Sequence, residues 1–164
     1  MPIQIGERLP EAVLQYIGEG VENVDTTHLF EGKRMVLFAV PGAFTPTCSE
    51  AHLPGYVRHY DDFAQRGIEV ACISVNDPFV MHAWGDSQGV PAGLRMLADG
   101  NGDFTRALGL QMDASAYGMG LRSKRYAIYV EDGMVRALFV ESPGEFRVSS
   151  AEHVLQQLGD TRDR

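Results

Sequence analysis

Cys48 stands at the end of a loop whose residue types favour thiol chemistry. The loop, residues 41–48, follows a continuously apolar segment and precedes a segment with helical spacing. The unpaired N–H groups and partial positive charge of a helix N-terminus favour a thiolate over a thiol. Thr45, three residues before the cysteine, can place its hydroxyl beside the sulfur or beside a polar substrate. Pro41 and Pro46 restrict the loop, and Pro41 can shield the sulfur, so the sequence predicts a reactive thiolate in a polar pocket.

The alternative for Cys48 is a small buried side chain without a chemical role, which is the commoner use of an isolated cysteine. Its position at a strand-to-helix corner, among threonine and proline residues, favours the nucleophile. His52 and His59 follow on roughly the same helical face and could suggest a zinc site or a Cys–His pair. Zinc ligands are usually more closely paired, and Pro54 disturbs the helix between the histidines. We therefore expect no metal, and we expect His52 to line the cleft or meet solvent.

Two buried strands and one helix are needed to hold this loop. Residues 35–40 and 68–75 are short apolar runs, typical of strands buried on both faces in the centre of an α/β sheet. Between them, residues 49–66 have helical spacing. The apolar face of this helix is formed by Leu53, Val57, Tyr60 and Phe63. Strand, helix and strand in this order predict a right-handed βαβ unit with Cys48 between its first strand and its helix.

The rest of the chain predicts further alternating elements. Asp132 and Gly133 separate two apolar segments, and an Asp-Gly turn in this setting is the strongest short-range signal for a β-hairpin. The predicted elements are a strand at 12–17, a helix from 77–78 through Trp84, a strand at 95–98, a helix at 104–108, hairpin strands at 126–130 and 134–140, and a last helix capped by Ser150. We expect an α/β fold with a central mixed β-sheet, in which a parallel core carries an antiparallel hairpin edge and helices cover both faces.

The chain has the size and composition of one soluble globular domain. Its 164 residues are 45% hydrophobic and 22% charged, so we interpret 1–164 as a single domain with a solvated tail at 159–164. The net charge of −8 argues against binding to nucleic acids or to anionic membranes, because both need a positive field. No apolar run is long enough to span a bilayer, no secretory signal is visible, and two cysteines are too few for a disulfide scaffold. These observations predict a cytoplasmic protein.

Several motifs of this sequence resemble those of the peroxiredoxin family. Residues 41–48 read Pro-Gly-Ala-Phe-Thr-Pro-Thr-Cys and contain the pattern Pro-x-x-x-Thr-x-x-Cys of the family's active site. The continuation in residues 49–56, together with residues 74–81, resembles the type II branch of the family, which includes mammalian peroxiredoxin five. The resemblance extends over nearly the whole chain. It implies a thioredoxin-like fold and a reaction that needs no cofactor.

The resemblance implies a thiol-dependent peroxidase, an antioxidant enzyme that reduces hydrogen peroxide and organic hydroperoxides. Cys48 would be the peroxidatic cysteine, whose thiolate attacks the peroxide and becomes a sulfenic acid. Thr45 would hydrogen-bond the peroxide, and Pro41 would cover the sulfur.

An arginine on a later strand completes the family's site, and Arg125 matches it by position. Arg122 and Lys124 lie close by in the sequence and compete for the same role. A guanidinium near the sulfur favours the thiolate and stabilises the charge that moves onto oxygen in the transition state.

Cys72 decides how the sulfenic acid is reduced. Many relatives carry a resolving cysteine late in the chain, but residues 144–150 contain none here. Plant-like members of the branch have a resolving cysteine at about the position of Cys72, whereas mammalian-like members have an inert cysteine there. Both roles remain open. If Cys72 is inert, an external thiol reduces Cys48, either glutathione with glutaredoxin or thioredoxin.

A second functional class is a non-enzymatic redox sensor or holdase that is switched by oxidation of Cys48. A sensor needs only the thiol, so the presence of Thr45 and Arg125 favours the enzyme. The type II resemblance also implies a homodimer with contacts near the active-site loop and residues 77–84 and 117–121. The alternative is that the last of these segments folds onto its own domain.

Overall fold

A seven-stranded mixed sheet forms the centre of the fold. The computed structural model describes residues 2–162, with side chains for residues 2–159. The strands are β1 (Val13–Ile17), β2 (Val21–Asp25), β3 (Arg34–Ala39), β4 (Glu69–Ser74), β5 (Arg95–Ala98), β6 (Gln111–Asp113), β7 (Leu121–Ser123), β8 (Tyr126–Glu131) and β9 (Met134–Val140). The order across the large sheet is β2-β1-β5-β4-β3-β8-β9, and β6 pairs with β7 in a separate hairpin.

Six α-helices are present among the described residues. They are α1 (Thr26–Phe30), α2 (Leu53–Arg58), α3 (Tyr60–Gln65), α4 (Pro78–Gln88), α5 (Asp103–Leu108) and α6 (Ala151–Arg162). A π-helical turn, Cys48–His52, precedes α2, and a short 3₁₀ turn, Ser115–Tyr117, precedes β7.

The central strands are buried because their residues are apolar on both faces of the sheet. In β3, Met35 packs into one core and Val36 into the other, since alternate residues of a strand point to opposite sides. β3 pairs in parallel with β4 and antiparallel with β8, and β4 pairs in parallel with β5. Helices α2, α3, α4 and α6 cover one face, and α1 and α5 cover the other. The predicted α/β fold, with a mixed sheet and helices on both faces, is confirmed.

The prediction of one continuous helix over residues 49–66 is wrong. The segment is divided into the π-helical turn Cys48–His52 and the short helices α2 and α3. The N–H of Leu53 donates to the carbonyl of Cys48, five residues back, and Pro54 has no N–H to donate. The proline therefore prevents a regular ladder at this point, and the chain forms a wider turn that begins at the cysteine.

Several elements have no clear signal in the sequence. β2, α1 and the β6–β7 hairpin are short and largely polar, so no apolar period marks them. The last helix continues to Arg162, so residues 159–162 of the predicted tail are helical, while residues 163 and 164 lie outside the described residues. None of the described helices is long and apolar enough to cross a bilayer.

Candidate active site

Cys48 begins the π-helical turn that follows β3, and its side chain is fully buried. The loop before it turns sharply at Phe44, whose φ of 64° lies in the left-handed region that a bulky residue rarely adopts. Asn76 holds this loop, because its Oδ1 accepts hydrogen bonds from the N–H of Ala43 at 3.0 Å and from Ser74 Oγ at 2.7 Å. The cysteine is therefore presented by a strained loop that is tied to the end of β4.

Arg125 places its guanidinium on the sulfur of Cys48. The distance from Arg125 Nη2 to Cys48 Sγ is 3.2 Å. The register of β8 on β3 pairs Tyr126 with Ala39, so the residue before Tyr126 falls beside the chain that leaves β3. The pairing of two sheet strands thus brings together two residues that are far apart in the sequence.

The two neighbouring basic residues do not occupy this position. Arg122 donates to the carbonyls of Val75 and Met119, at 3.0 and 2.9 Å. Lys124 lines a neighbouring cleft, together with Pro41 and Thr45. Of the three candidates in the sequence, the structure brings Arg125 into contact with Cys48.

His52 is fully buried, so the expectation that it lines the cleft or meets solvent is wrong. Its Nε2 lies 3.1 Å from the carbonyl oxygen of Ser149, and its Nδ1 lies 2.8 Å from Arg125 Nη1. Because a carbonyl oxygen can only accept, we assign the ring proton to Nε2, and Nδ1 then accepts from Arg125. Burial, and then the charge of Arg125, lower the pKa of His52 to about 3, so the ring is neutral.

The guanidinium of Arg125 is therefore held from two sides. One arm donates to His52 and the other meets the sulfur of Cys48. The ring of Phe146 covers this pair, with its centroid 5.0 Å from that of His52 and 5.8 Å from Arg125 Cζ. Such contacts fix the orientation of the guanidinium before any substrate binds.

His59 does not join His52 and Cys48. Its Nδ1 lies 2.8 Å from Asp62 Oδ2, at the surface. The described part of the chain contains no group of three or more His, Cys, Asp or Glu side chains that could hold a metal ion.

Thr45, Pro41 and Arg125 line one cleft of about 360 Å³. The hydroxyl of Thr45 donates to the carbonyl of Gly42 at 2.6 Å. Because its proton is used in this way, the oxygen of Thr45 presents its lone pairs as an acceptor for the O–H of a peroxide. The structure thus brings the predicted substrate-binding hydroxyl and the predicted arginine to the same opening.

The outer walls of this cleft are mainly apolar. They include Met112, Tyr117 and Met119. A larger and more polar cleft of about 590 Å³ lies beside α4 and β5 and is lined by none of the predicted site residues. Of these two clefts, the smaller one is therefore the one lined by the predicted active-site residues.

Cys72 lies inside β4, opposite Phe38 of β3, and is fully buried. It belongs to the same apolar core as Cys48, and both cysteines are free. Burial raises the pKa of Cys72 well above its usual value, and a charge on Cys48 raises it further. In this arrangement Cys72 is a neutral core thiol.

Comparison with known proteins gives consistent matches over nearly the whole chain. Residues 4–155 match the family described as Redoxin. The chain is 46% identical to the chloroplastic peroxiredoxin-2E of Arabidopsis thaliana, over 95% of this chain and 69% of that protein. It is 42% identical to peroxiredoxin-2C of the same plant, over 96% of this chain and 99% of that protein. The crystal structure of reduced Prx3 from Vibrio vulnificus in complex with hydrogen peroxide superposes with a TM-score of 0.91 at 51% identity, covering 95% of this chain and 99% of that one.

Proposed function

Because the chain belongs to the redoxin family and is a thiol-dependent peroxidase of the peroxiredoxin type, we propose that Cys48 is its peroxidatic residue. The contact of 3.2 Å between Arg125 Nη2 and Cys48 Sγ carries this proposal, since a guanidinium beside a sulfur favours the thiolate. The thiolate attacks the terminal oxygen of a hydroperoxide, so that an S–O bond forms and the O–O bond breaks. Sulfur loses two electrons to the peroxide, and the departing oxygen takes a proton and leaves as water or an alcohol.

Three side chains assist this step in different ways. Arg125 stabilises the negative charge while it moves from sulfur to the departing oxygen. Thr45 accepts a hydrogen bond from the peroxide and orients it, and Pro41 limits the access of water to the sulfur. The apolar walls of the cleft support the reduction of organic hydroperoxides as well as hydrogen peroxide, because an alkyl or aryl group gains from leaving water there.

Repeated turnover is the observation that tests this function. With excess dithiothreitol, we expect the protein to consume many equivalents of hydrogen peroxide and of cumene hydroperoxide. Dithiothreitol would also regenerate a redox sensor, but a thiolate without the arginine contact and the cleft would react with peroxide only about as fast as a free thiolate, so the rate constant of Cys48 oxidation separates the two classes. The sensor is not favoured, since it needs neither the arginine contact nor the cleft.

The thiol that reduces the sulfenic acid is proposed to be external, glutathione with glutaredoxin or thioredoxin. Cys72 is buried in the middle of β4, whereas Cys48 is held in the π-helical turn, and a disulfide needs their Cα atoms within about 7 Å with suitably directed side chains. We infer from these positions that an internal disulfide forms only if this turn unwinds. A reaction that depends on external thiols also suits a reducing compartment, and we propose the cytoplasm.

Replacement of Cys72 by serine is expected to retain most of the peroxidase activity with glutathione and glutaredoxin. The buried thiol has a raised pKa and so a low thiolate fraction, which makes it a poor partner for the sulfenic acid. Steady-state turnover of the variant and the intact mass of the peroxide-treated wild type provide the measurement. Near-complete loss of turnover, together with a peptide that links Cys48 to Cys72, would identify Cys72 as the resolving residue.

The active protein is proposed to be a homodimer. Phe44, Phe79 and Tyr117 are 56%, 65% and 82% exposed, which is unusual for large apolar side chains. The segments of Phe44 and Phe79 are in contact, since Asn76 bonds to Ala43 beside Phe44 and precedes the helix of Phe79, and Tyr117 lines the same cleft as Thr45. A second copy of this chain that covers the patch would remove it from water.

The variant Phe79→Glu is expected to shift the reduced protein from dimer to monomer. A charge in the centre of an apolar contact is costly, so the dissociation constant should rise by roughly 10-fold or more. Light scattering at micromolar concentration measures the mass. Ile5→Glu is the matched control, because Ile5 is 64% exposed on a different part of the surface and should leave the dimer intact. A monomeric wild type would contradict the proposal.

A further inference from the structure

Glu141 is a buried carboxylate next to the active site that the reaction described above does not use. It directly follows β9, and only 6% of its surface is exposed. Its Oε2 accepts three hydrogen bonds, from the N–H of Arg147 at 2.8 Å, from the N–H of Ser149 at 2.8 Å and from Ser149 Oγ at 2.7 Å. A single oxygen thus fastens a loop that would otherwise have no regular secondary structure to hold it.

The charge of Glu141 is retained despite its burial. Burial raises the pKa of the carboxyl, but the hydrogen bonds from Ser149 and from the backbone of Arg147 outweigh this effect, so the net pKa is lowered. Hydrogen bonds to an ionised acceptor are shorter and stronger than those to a neutral one. The loop is therefore held by an ionised group.

The loop that Glu141 holds, residues 146–149, packs against His52. The carbonyl of Ser149 accepts from His52 Nε2 at 3.1 Å and from the hydroxyl of Tyr56 at 2.8 Å, which uses both of its lone pairs. Phe146, in the same loop, lies against the ring of His52 and the guanidinium of Arg125. Two different contacts of this loop thus reach the pair that faces the sulfur.

We propose that Glu141 is a positioning residue for the peroxidase reaction. It holds the loop of residues 146–149 against His52, and through His52 it fixes the guanidinium of Arg125 on the sulfur of Cys48. The path consists of four consecutive hydrogen-bonded contacts, from Glu141 to Ser149, to His52, to Arg125 and to Cys48. The proposal rests on the roles assigned above to Cys48 and Arg125.

The test compares Glu141→Ala with Glu141→Gln, in a Cys72→Ser background so that Cys48 is the only thiol. In Glu141→Ala the rate constant of Cys48 oxidation by hydrogen peroxide should fall roughly 10- to 100-fold, since small displacements of a catalytic group have effects of this size. The pH at which the thiolate forms, followed by ultraviolet absorbance, should rise. Glu141→Gln keeps one acceptor oxygen and should recover part of the rate.

Glu131→Gln is the matched control. Glu131 ends β8 at the opposite end of the hairpin, where it accepts from Tyr129 and makes no contact with the site. This variant should lower thermal stability without changing the oxidation rate or the thiolate titration. A purely structural role for Glu141 would give the same pattern in Glu141→Ala, and that result would overturn the proposal.

Two further outcomes are informative. If Glu141→Ala does not fold, Glu141→Gln alone decides, since a wild-type rate and titration in that folded variant would contradict the need for the ionised carboxylate. If the parent protein and Glu131→Gln also fail to reduce peroxide, the roles of Cys48 and Arg125 are at fault. The positioning role of Glu141 then falls with them.

Discussion

Replacement of Cys48 by serine is expected to abolish peroxide turnover while the protein remains folded. A serine hydroxyl does not ionise near neutral pH and cannot form the sulfenic acid, so the rate should fall at least roughly 10³-fold, to that of the uncatalysed reaction. The side chain is small and fully buried at the start of the π-helical turn, and serine occupies a similar volume. Peroxide loss with excess dithiothreitol measures the rate, and circular dichroism checks the fold.

Cys72→Ser is the matched control for this experiment. It removes the other buried cysteine of the same core, and we expect it to keep most of the turnover. Residual activity near that of the wild type in Cys48→Ser would show that the peroxidatic role lies elsewhere.

Replacement of Arg125 by methionine is expected to give the second largest effect. Methionine fills much of the same space but donates no hydrogen bond to the sulfur, so the thiolate should form only at higher pH. The loss of a cationic donor to the transition state should slow the oxidation of Cys48 by roughly 10²- to 10³-fold. Stopped-flow measurement with hydrogen peroxide gives the rate, and ultraviolet absorbance gives the thiolate titration.

Arg122→Met tests whether any nearby arginine would serve. Its guanidinium donates to the carbonyls of Val75 and Met119 rather than to the sulfur. We expect this variant to lose some stability and to keep the thiolate titration of the wild type. The opposite result, a shifted titration in Arg122→Met and none in Arg125→Met, would assign the role to Arg122 instead.

The strands at the centre of the fold could be predicted because their signals are local. The apolar runs at residues 35–40 and 68–75 correspond to β3 and β4, and the Asp-Gly turn corresponds to the β8–β9 hairpin. Asp132 and Gly133 both have positive φ, 49° and 79°, as this kind of two-residue hairpin turn requires. Pro54 indicated a disturbance of the helix, but the π-helical form of the turn could not be predicted, because a proline is also compatible with the first turn of an ordinary helix.

The motif residues of the active site could be predicted from their types and spacing, whereas Arg125 was indicated by the resemblance. Cys48, Thr45 and Pro41 lie in one short motif, but His52 acquires its role from a carbonyl that is 97 residues away in the sequence. Its spacing of four residues from Cys48 was a usable signal, although it suggested a metal site. Glu141 had no signal in the sequence, because its importance depends on the path of the loop that follows it.

The neutral ring of His52 has a consequence for the stability of the folded protein in acid. In the unfolded chain this histidine has an ordinary pKa near 6.5, whereas in the folded protein the pKa is about 3. Between these values the unfolded chain binds one proton more, so each pH unit of acidification lowers the free energy of unfolding by about 1.4 kcal/mol. Above pH 6.5 the ring is neutral in both states and the penalty vanishes.

This single buried imidazole thus lowers the stability of the fold in acid without disturbing the hydrogen bond that holds Arg125. The hydrogen bond from Arg125 to Nδ1 persists down to a pH of about 3, because the ring stays neutral above that pH. Protonation of this ring therefore does not displace Arg125 in the folded protein at higher pH. The folded population declines first, because the accumulated penalty approaches the net stability of about 5–15 kcal/mol that is typical of a domain. Through His52, acid therefore lowers the folded population and leaves the position of Arg125 in the folded molecules unchanged.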